Sequence, residues 1–398
     1  MFQHIPAFAG DPILSLNEDF QRDPRAGKVN LSIGIYFDDA GRIPVLECVR
    51  QAQDWVVQQG GPKPYLPIEG AGNFRLEVQK LLFGAASAVI ADGRVATIQA
   101  VGSSGGLKVG ADFLATHFPG SQVWVSDPTW DNHCSMFEGA GLTVHTYPYF
   151  DAQSGGLRFQ AMLDTLATIP RHSIVLLHAC CHNPTGVDLS AAQWDALIAL
   201  LRERALIPFL DLAYQGFGEG IDADAYAVRA LAATDLSFFV ANSFSKSMSL
   251  YGERCGALSV VCPDAQQAAR VLGQIKYTVR RNYSSPPIHG GQIVARVMGD
   301  PALRALWESE LEAMRRRILD MRRELHTVIS LRRPARNFDY LLTQRGMFSY
   351  TGLSPAQVER LRQEHAVYLL RSGRMCVAGL NRANVEAAAV AMASVIEP

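Results

Sequence analysis

Short apolar runs alternate with helix-like segments from about residue 95 onward, and this alternation limits the possible folds more than any other feature. Helical patterns such as SAAQWDALIALLRERA and DAQQAARVLGQIKYTVRRNY separate several of the runs. Continuous apolar strands that alternate with helices are typical of a mostly parallel sheet with both faces covered. The sequence therefore predicts an α/β domain with a mostly parallel sheet between helices, the strands being VATIQAV, QVWVSD, LTVHTYPY, SIVLLHACC, IPFLDLAY, FFVANSFS and GALSVVC.

The segments on either side of this region have different patterns. Residues 1–30 are rich in proline and polar residues and predict an arm, not a packed element. Apolar residues from Trp307 to Val328 recur at alternating spacings of 4 and 3, which predicts one long helix. After about residue 335, short strands and two helices are expected, as in a smaller α+β domain. The long helix also carries acids and arginines that predict a solvated, salt-bridged face: Arg315, Arg316, Arg317, Arg322 and Arg323.

Charge and cysteine content exclude several classes of protein. The 37 basic and 38 acidic residues give a net charge of −1, whereas nucleic-acid and membrane-surface binding need a clustered positive field. The seven cysteines are odd in number and form no C-x-x-C motif, which favours a reducing, cytoplasmic location over a disulfide framework. The first residues do not have the pattern of a signal peptide, and no apolar run is long enough for a transmembrane helix.

Lysine is rare in this chain, because only six of the 37 basic residues are lysines. Arginine cannot act as an amine nucleophile, so lysine-dependent chemistry must use one of these six. Four of them, Lys28, Lys63, Lys80 and Lys276, have the patterns of ordinary charged residues, and Lys108 lies near a glycine-rich helix start. Lys246 differs, because it follows the apolar run FFVAN and lies between serines in SFSKSMS. A lysine at the carboxyl end of an α/β strand is a candidate for Schiff-base chemistry, including that of pyridoxal phosphate (PLP).

Residues suited to the pyridine ring of PLP follow other strands. Asp211 can pair with the ring nitrogen, and Tyr214 and Asn183 can bind the 3′-oxygen. Trp130, in a loop after a strand, offers a stacking face. Each has another interpretation: Asp211 as a helix cap or turn residue, Asn183 as part of the Asn-Pro-Thr-Gly turn, and Trp130 as a core residue.

A phosphate site is expected at VGSSGGLKVGADFL, where a strand, a turn at Gly102–Gly106 and a helix follow one another. Arg254, in LYGERCG, is the candidate phosphate cation. The segment lacks the G-x-G-x-x-G pattern, which argues against a nicotinamide-dependent oxidoreductase. The neighbouring His178, Cys180, Cys181 and His182 could suggest zinc, but strand alternation would point adjacent side chains to opposite faces, so no metal is expected.

Taken together, CCHNPTG, DLAYQGF, ANSFSKSMSLYGER, RRNYSSPP, GMFSYTGL and SGRMCVAGL resemble the class I aspartate/aromatic aminotransferases of PLP fold type I. The stretches NLSIGIY, YLPIEG, VSDPTWDNH and RRNYSSPP look most like the bacterial aromatic-amino-acid (tyrosine) branch. The resemblance implies ping-pong transamination of tyrosine and phenylalanine with 2-oxoglutarate through pyridoxamine phosphate, with aspartate and glutamate as further substrates. It also implies a homodimer with shared active sites.

The same resemblance implies a role for each matched residue. Lys246 would form the Schiff base with PLP, and Asp211 would pair with the pyridine nitrogen. His133 and His178 would support that carboxylate from behind. The remaining cofactor contacts would be Ser103, Ser104, Trp130, Asn183, Tyr214, Ser243, Ser245 and Arg254, with Tyr65 from the other subunit. The substrate contacts would be Gly34, Trp130, Asn183, Phe348, Arg374 for the α-carboxylate, and Arg280 from the other subunit for a distal carboxylate.

The expected domains are an arm at 1–12, a small-domain segment at 13–40, a large PLP-binding domain at 41–312 and the small domain at 313–398, with a linking helix over about 302–330. Other functions stay open. They are an aspartate aminotransferase with minor aromatic activity, a PLP-dependent β-lyase or decarboxylase, and a PLP-binding regulatory protein.

Overall fold

The computed structural model describes residues 1–7 and 10–396. Residues 8–9 of the expected arm and 397–398 of the expected small domain lie outside the described residues. The chain divides into two compact units. The large unit is Pro44–Arg316, and the small unit combines Met1–Ile43 with Arg317–Pro398.

The strands of the described residues are β1 (Val29–Asn30), β2 (Val95–Val101), β3 (Gln122–Asp127), β4 (Thr143–Pro148), β5 (Phe150–Asp151), β6 (Gly156–Leu157), β7 (Ile174–His178), β8 (Ile207–Leu212), β9 (Phe238–Ser243), β10 (Cys255–Val261), β11 (Phe348–Tyr350), β12 (Val367–Tyr368) and β13 (Arg374–Cys376). All seven strands predicted from apolar runs are confirmed, with ends that differ by a few residues.

The α-helices of the same residues are α1 (Pro12–Arg22), α2 (Glu47–Gln59), α3 (Gly72–Phe83), α4 (Ala88–Ala91), α5 (Gly102–His117), α6 (Asp131–Glu138), α7 (Phe159–Leu166), α8 (Ala191–Glu203), α9 (Tyr226–Ala232), α10 (Ala265–Asn282), α11 (His289–Gly299), α12 (Pro301–Arg332), α13 (Tyr340–Thr343), α14 (Pro355–His365) and α15 (Val385–Val395). No helix of these residues is both long and apolar enough to cross a bilayer.

The large unit is built on a seven-stranded sheet of order β2-β10-β9-β8-β7-β3-β4. Strand β10 is antiparallel to both of its neighbours, and the pairs from β9 to β4 are parallel. Strands β7, β8, β9 and β10 are buried along their lengths, apart from a half-buried Ile207, because helices cover both faces. The carboxyl ends of β3, β7, β8 and β9 therefore meet at one edge, where an open α/β sheet binds its ligands.

The small unit contains two strand pairs, β1 with β12 (parallel) and β11 with β13 (antiparallel). Within the arm expected over residues 1–30, Pro12–Arg22 forms helix α1, which has no buried residue. Asp11 caps this helix by accepting hydrogen bonds from the backbone N–H groups of Ile13 and Leu14, both at 2.9 Å. Lys28, expected to be an ordinary solvated charge, donates to the carbonyls of Phe20 and Asp23 at 2.7 and 2.6 Å and so binds the other end of α1.

The predicted long helix is confirmed as α12, with two corrections. Its apolar stripe ends on the buried Ile329, while Val328 is half-buried. Arg322 is wrongly placed on the solvated face, because it is 0% exposed. Its position is four residues after Ile318 and three before Leu325, so helical periodicity puts it on the buried stripe.

Candidate active site

Lys246 lies in the turn that follows β9, among buried serines. Its side chain is half-buried, and its Nζ lies 5.0 Å from the ring centroid of Tyr214. Tyr214 follows the neighbouring strand β8 and is itself buried. The lysine predicted to be reactive and the tyrosine predicted to accompany it are therefore neighbours at the carboxyl edge of the sheet.

Asp211 lies on β8 and pairs in the sheet with His178 of β7 and Ala241 of β9. Its Oδ2 is 3.0 Å from Nε2 of His133, and the His133 Nδ1 is 2.9 Å from Oγ1 of Thr129. A carboxylate can only accept, so Nε2 of His133 carries the hydrogen that faces Asp211. The structure thus brings Asp211, His133 and His178 together, as the resemblance implies.

The second oxygen of Asp211, Oδ1, is buried and has no hydrogen-bond partner among the described residues. Burial by itself would raise the pKa of Asp211. The His133 hydrogen bond, together with the electrostatic effect of His133 and of the Lys246 cation, outweighs that effect, so the pKa lies below its ordinary value. A buried carboxylate oxygen that is ionised and unpartnered is suited to accept a hydrogen from a cationic ring N–H.

Two further imidazoles lie behind this carboxylate. The ring centroid of His178 is 5.0 Å from that of His133 and 4.3 Å from that of His182. Burial lowers the pKa of His178 to about 3, with the neighbouring His133 adding to the effect against the pull of Asp211. Burial also lowers the pKa of His182 well below its ordinary value. Both rings are therefore neutral near neutral pH.

The hydrogen-bond partners of His182 fix its tautomer. Ser126 Oγ donates to the carbonyl of Pro128 at 2.9 Å, so it accepts from Nε2 of His182, also at 2.9 Å. Thr185 Oγ1 accepts from the backbone N–H of Val187 at 3.1 Å and donates to Nδ1 of His182 at 2.8 Å. Both ring nitrogens are thus occupied by hydrogen bonds.

Strand alternation, from which no zinc was expected at residues 178–182, does not apply to this segment. Strand β7 ends at His178, so strand alternation does not govern the residues that follow it. The rings of His178 and His182 in fact contact each other. Both nitrogens of His182 have hydroxyl partners, so a metal could bind this ring only by displacing one of them.

An anion cradle is formed where β2 runs into α5. Gly102 has a φ of +68°, which glycine adopts without strain, and its N–H donates to the carbonyl of Arg254 at 2.9 Å. A Cβ at Gly102 would lie 2.7 Å from Nη2 of Arg254, so the guanidinium lies directly against the helix start. Ser103 and Ser104 belong to the first turn of α5, which begins at Gly102, so the separate turn expected over Gly102–Gly106 before the helix is wrong.

Hydroxyl groups complete this cradle. Arg254 Nη1 donates to Ser245 Oγ at 3.3 Å and to the carbonyl of Tyr251 at 3.0 Å. Ser243 Oγ donates to Ser245 Oγ at 3.1 Å. The capping position of α5, Val101, makes no side-chain hydrogen bond to the helix, as far as the described residues show. Helix N–H groups, hydroxyls and a guanidinium in one place suit a phosphate.

Trp130 and Asn183 lie at the same edge of the sheet. The Trp130 ring is edge-on to that of His133, with centroids 5.2 Å apart, and packs partly against the core. Asn183 is 5% exposed and follows β7 by five residues. The core interpretation of Trp130 is therefore partly right, since the ring contacts both the core and the histidine that supports Asp211.

Three predicted residues lie together in the small unit. Arg374, on β13, is 3% exposed and its Cζ is 4.6 Å from the ring centroid of Phe348 on β11. A Cβ at Gly34 would lie 2.9 Å from Cζ of the same phenylalanine ring. The residues predicted to contact substrate from this unit thus form one cluster.

Tyr65 and Arg280 lie on the surface of the large unit. Tyr65 is 96% exposed. Arg280 is also exposed and donates to Ser284 Oγ in the next turn. The resemblance implies that these two residues contribute to the active site of another subunit.

Three residues that orient the histidines, Thr129, Ser126 and Thr185, were not predicted from the sequence. Thr129 lies four residues before His133, within VSDPTWDNH, and Thr185 lies three residues after His182. Such short spacings were a usable signal, since a hydroxyl this close along the chain can reach an imidazole nitrogen. Ser126 lies on another strand, and no local pattern connects it with His182.

Comparisons with known proteins show the family of this chain. The family model "Aminotransferase class I and II" matches residues 26–392. This chain belongs to the class I and II aminotransferases. It is 60% identical over 397 residues, and over 100% of both chains, to the aromatic-amino-acid aminotransferase of Escherichia coli (strain K12). It is 50% identical over 396 residues, again with 100% of both chains covered, to an aspartate aminotransferase of Pseudomonas aeruginosa.

Among aminotransferases of known structure, the aromatic-amino-acid aminotransferase of Burkholderia pseudomallei, covalently bound to pyridoxal phosphate, is 51% identical to this chain. It superposes with a TM-score of 0.98 and covers 100% of both chains. The predicted α/β fold of the PLP-dependent transferases is confirmed, as is membership of the aminotransferase family.

Proposed function

We propose that this aminotransferase transfers the amino group of tyrosine and phenylalanine to 2-oxoglutarate with pyridoxal 5′-phosphate as cofactor. The observation that carries the proposal is the Asp211 carboxylate. Its Oδ1 is buried and unpartnered within the described residues, on the strand next to the one that leads to Lys246. The donor set fits this cofactor, since Asp211 suits a pyridine N–H and the α5 cradle suits a phosphate.

Pyridoxal phosphate supplies an electron sink for the electron pair that remains when the substrate Cα loses its proton. Lys246 would hold the cofactor covalently, and its amine would move that proton. Asp211, oriented by His133, would keep the pyridine nitrogen protonated. Tyr214 and Asn183 would donate hydrogen bonds to the 3′-oxygen, and Trp130 would cover the ring face.

The remaining roles concern anions. The phosphate would be bound by Arg254, by the N–H groups at the start of α5, and by the hydroxyls of Ser103, Ser104, Ser243 and Ser245. Arg374 binds the α-carboxylate of the substrate, with Gly34 and Phe348 beside it.

We also propose that the protein is a homodimer with shared active sites in the cytoplasm. The exposure of Tyr65 and Arg280 supports the first part, because both can serve the site of a partner subunit. The cytoplasmic location is supported by the seven cysteines, which all lie within the described residues and form no disulfide there. We further propose that the small and large units correspond to the two domains expected from the sequence, the large one at 41–312, with residues 1–12 as the arm.

A second candidate is an aspartate aminotransferase with minor aromatic activity, which the 50% identity to the Pseudomonas aeruginosa enzyme favours. The test measures kcat/KM for tyrosine, phenylalanine and aspartate, each with 2-oxoglutarate. The proposal predicts that tyrosine and phenylalanine are at least as good as aspartate. A large preference for aspartate would support the second candidate, and release of ammonia or CO2 without amino transfer would contradict both.

A further inference from the structure

Phe348 lies against the guanidinium of Arg374 within the small unit. Strands β11 and β13 pair antiparallel, with Tyr350 opposite Arg374 and Phe348 opposite Cys376. Residues two apart on a strand share a face, so Phe348 and Arg374 are diagonal neighbours on one face of this pair. The Arg374 Cζ is 4.6 Å from the ring centroid, and both residues are buried. A cation over a ring face, away from water, is attracted by the ring quadrupole.

Two further contacts fix this pair. Arg374 Nη2 donates to the carbonyl of Ser32 at 2.6 Å. Gly34, two residues further along, faces the ring of Phe348, because a Cβ there would lie 2.9 Å from its Cζ. A side chain at residue 34 would therefore displace the Phe348 ring from this position.

Arg322 holds the backbone that carries Phe348. This buried guanidinium donates to the carbonyls of Phe348 and Gly346, at 2.5 and 2.9 Å, and to Ser349 Oγ at 2.5 Å. Charge-assisted hydrogen bonds in a buried site are strong. Arg322 thus anchors the start of β11 and the residues before it, which fixes the backbone from which the Phe348 ring projects.

We propose that Phe348 is a positioning residue that sets the orientation of the Arg374 guanidinium for binding carboxylates, with Gly34 providing the space for its ring. This rests on the proposed function, in which Arg374 binds the substrate α-carboxylate. All amino-acid and 2-oxo-acid substrates have that carboxylate. Phe348 therefore contributes equally to aromatic and acidic substrates, and it does not select between them.

The test compares Phe348→Leu and Phe348→Tyr in the holoenzyme. Leucine keeps an apolar side chain without a ring face, whereas tyrosine keeps the face. We expect Phe348→Leu to raise KM about tenfold for both tyrosine and aspartate, the loss of one desolvated cation–π contact, with little change in kcat. The inhibition constant of 3-phenylpropionate, which has a carboxylate and no amino group, should rise by the same factor. Phe348→Tyr should keep KM and the inhibition constant at the values of the unmodified enzyme.

Phe338→Leu is the matched control, because it removes another buried ring of the small unit, one that packs near Tyr340. It should lower stability without raising KM. Gly34→Ala displaces the ring without removing it, so it tests the proposal even if Phe348→Leu does not fold. Its KM increase should shrink when Phe348→Leu is also present.

The outcomes separate this inference from the proposed function. An unmodified holoenzyme without transaminase activity contradicts the proposed function. An active enzyme in which Phe348→Leu leaves KM and the inhibition constant unchanged overturns the role of Phe348. A KM increase for tyrosine alone also overturns it, because Phe348 would then contact the substrate side chain.

Discussion

His133 Nε2 lies 3.0 Å from Oδ2 of Asp211, and the other carboxylate oxygen, Oδ1, is buried without a partner in the part of the chain that the structure describes. The histidine therefore fixes the carboxylate while leaving one oxygen for a ligand. Thr129 continues this arrangement by occupying the far nitrogen of His133 at 2.9 Å. A ring N–H that meets Oδ1 thus meets an acceptor that is already oriented.

Replacing Asp211 tests the role of this acceptor. In Asp211→Asn the side chain keeps its size but loses its charge, so the pyridine nitrogen is no longer held protonated. We expect kcat for tyrosine to fall by about 10²–10³-fold, the typical cost of losing one preorganised electrostatic contact. The control is Asp224→Asn, another buried acid, which accepts backbone N–H groups of Gly216 and Gly218 at 2.8 and 2.9 Å. It should lower stability and leave kcat unchanged, and equal losses of kcat in both variants would contradict the assignment.

The α5 cradle makes a separate prediction about cofactor retention. Arg254→Gln removes the charge that lies against the helix start, and we expect the dissociation constant of pyridoxal phosphate to rise about ten- to hundredfold. Arg254→Lys should recover part of the affinity, because it keeps a cation but not the planar guanidinium. Arg202→Gln is the control, since its ion pair with Asp235 is exposed. Unchanged cofactor affinity in Arg254→Gln would exclude Arg254 from the phosphate site.

The buried histidines predict how stability depends on pH. The pKa of His178 falls from 6.5 to about 3 on folding, so the unfolded chain binds a proton that the folded chain does not. The free energy of unfolding should therefore fall as the pH is lowered below 6.5, by up to about 1.4 kcal/mol per pH unit for this residue. His182 acts in the same direction. Asp211 does not add to this pH dependence, because its pKa is lowered and the stability linked to its ionisation is lost only below about pH 3.8.

Urea unfolding of the apoprotein between about pH 7 and pH 5, at one fixed protein concentration, measures this slope. His178→Leu should reduce the slope by about one proton. Leu177→Ala, its buried neighbour on β7, should lower stability by about 2–5 kcal/mol at every pH without changing the slope. If His178→Leu leaves the slope unchanged, the ring is not neutral in the folded protein.

Arg280 tests the distal-carboxylate and shared-site proposals together. Arg280→Ala should reduce kcat/KM for glutamate and aspartate far more than for phenylalanine, whereas Arg281→Ala, which changes the neighbouring arginine that stacks on Tyr277 at 4.7 Å, should not. Equal losses on glutamate and phenylalanine would refute Arg280 as the reader of the distal carboxylate.

Mixed dimers sharpen this test. When Lys246→Ala and Arg280→Ala subunits are mixed, shared sites give each hybrid dimer one intact site, and about a quarter of the unmodified activity on glutamate should return. Sites built from a single subunit would give no recovery beyond the activity of the two separate variants.

The sequence predicted those parts of the fold that follow from periodic burial. The strands of the large unit are nearly continuous apolar runs, so their positions could be identified directly. Helix α1 was missed because it has no buried residue to reveal its period. Arg322 was misplaced because residue type was given more weight than helical spacing, although the spacing places it on the buried stripe of α12.

The candidate site was predicted in a similar way. Lys246, Asp211 and the start of α5 lie at strand ends, where position and residue type together are informative. The pairing of Phe348 with Arg374 depends on the register of β11 and β13, which no local pattern specifies. The hydrogen bonds of His182 depend likewise on Ser126 from a different strand.

The central claim is that Lys246 carries pyridoxal phosphate and that the cofactor passes an amino group between substrates. Absorbance spectra of the reconstituted protein, with Lys246→Ala as the matched variant, test it most directly. The account predicts a visible band in the unmodified protein that tyrosine removes and 2-oxoglutarate restores, and no such cycle in Lys246→Ala. A protein without that band, or a band that tyrosine leaves unchanged, would contradict it.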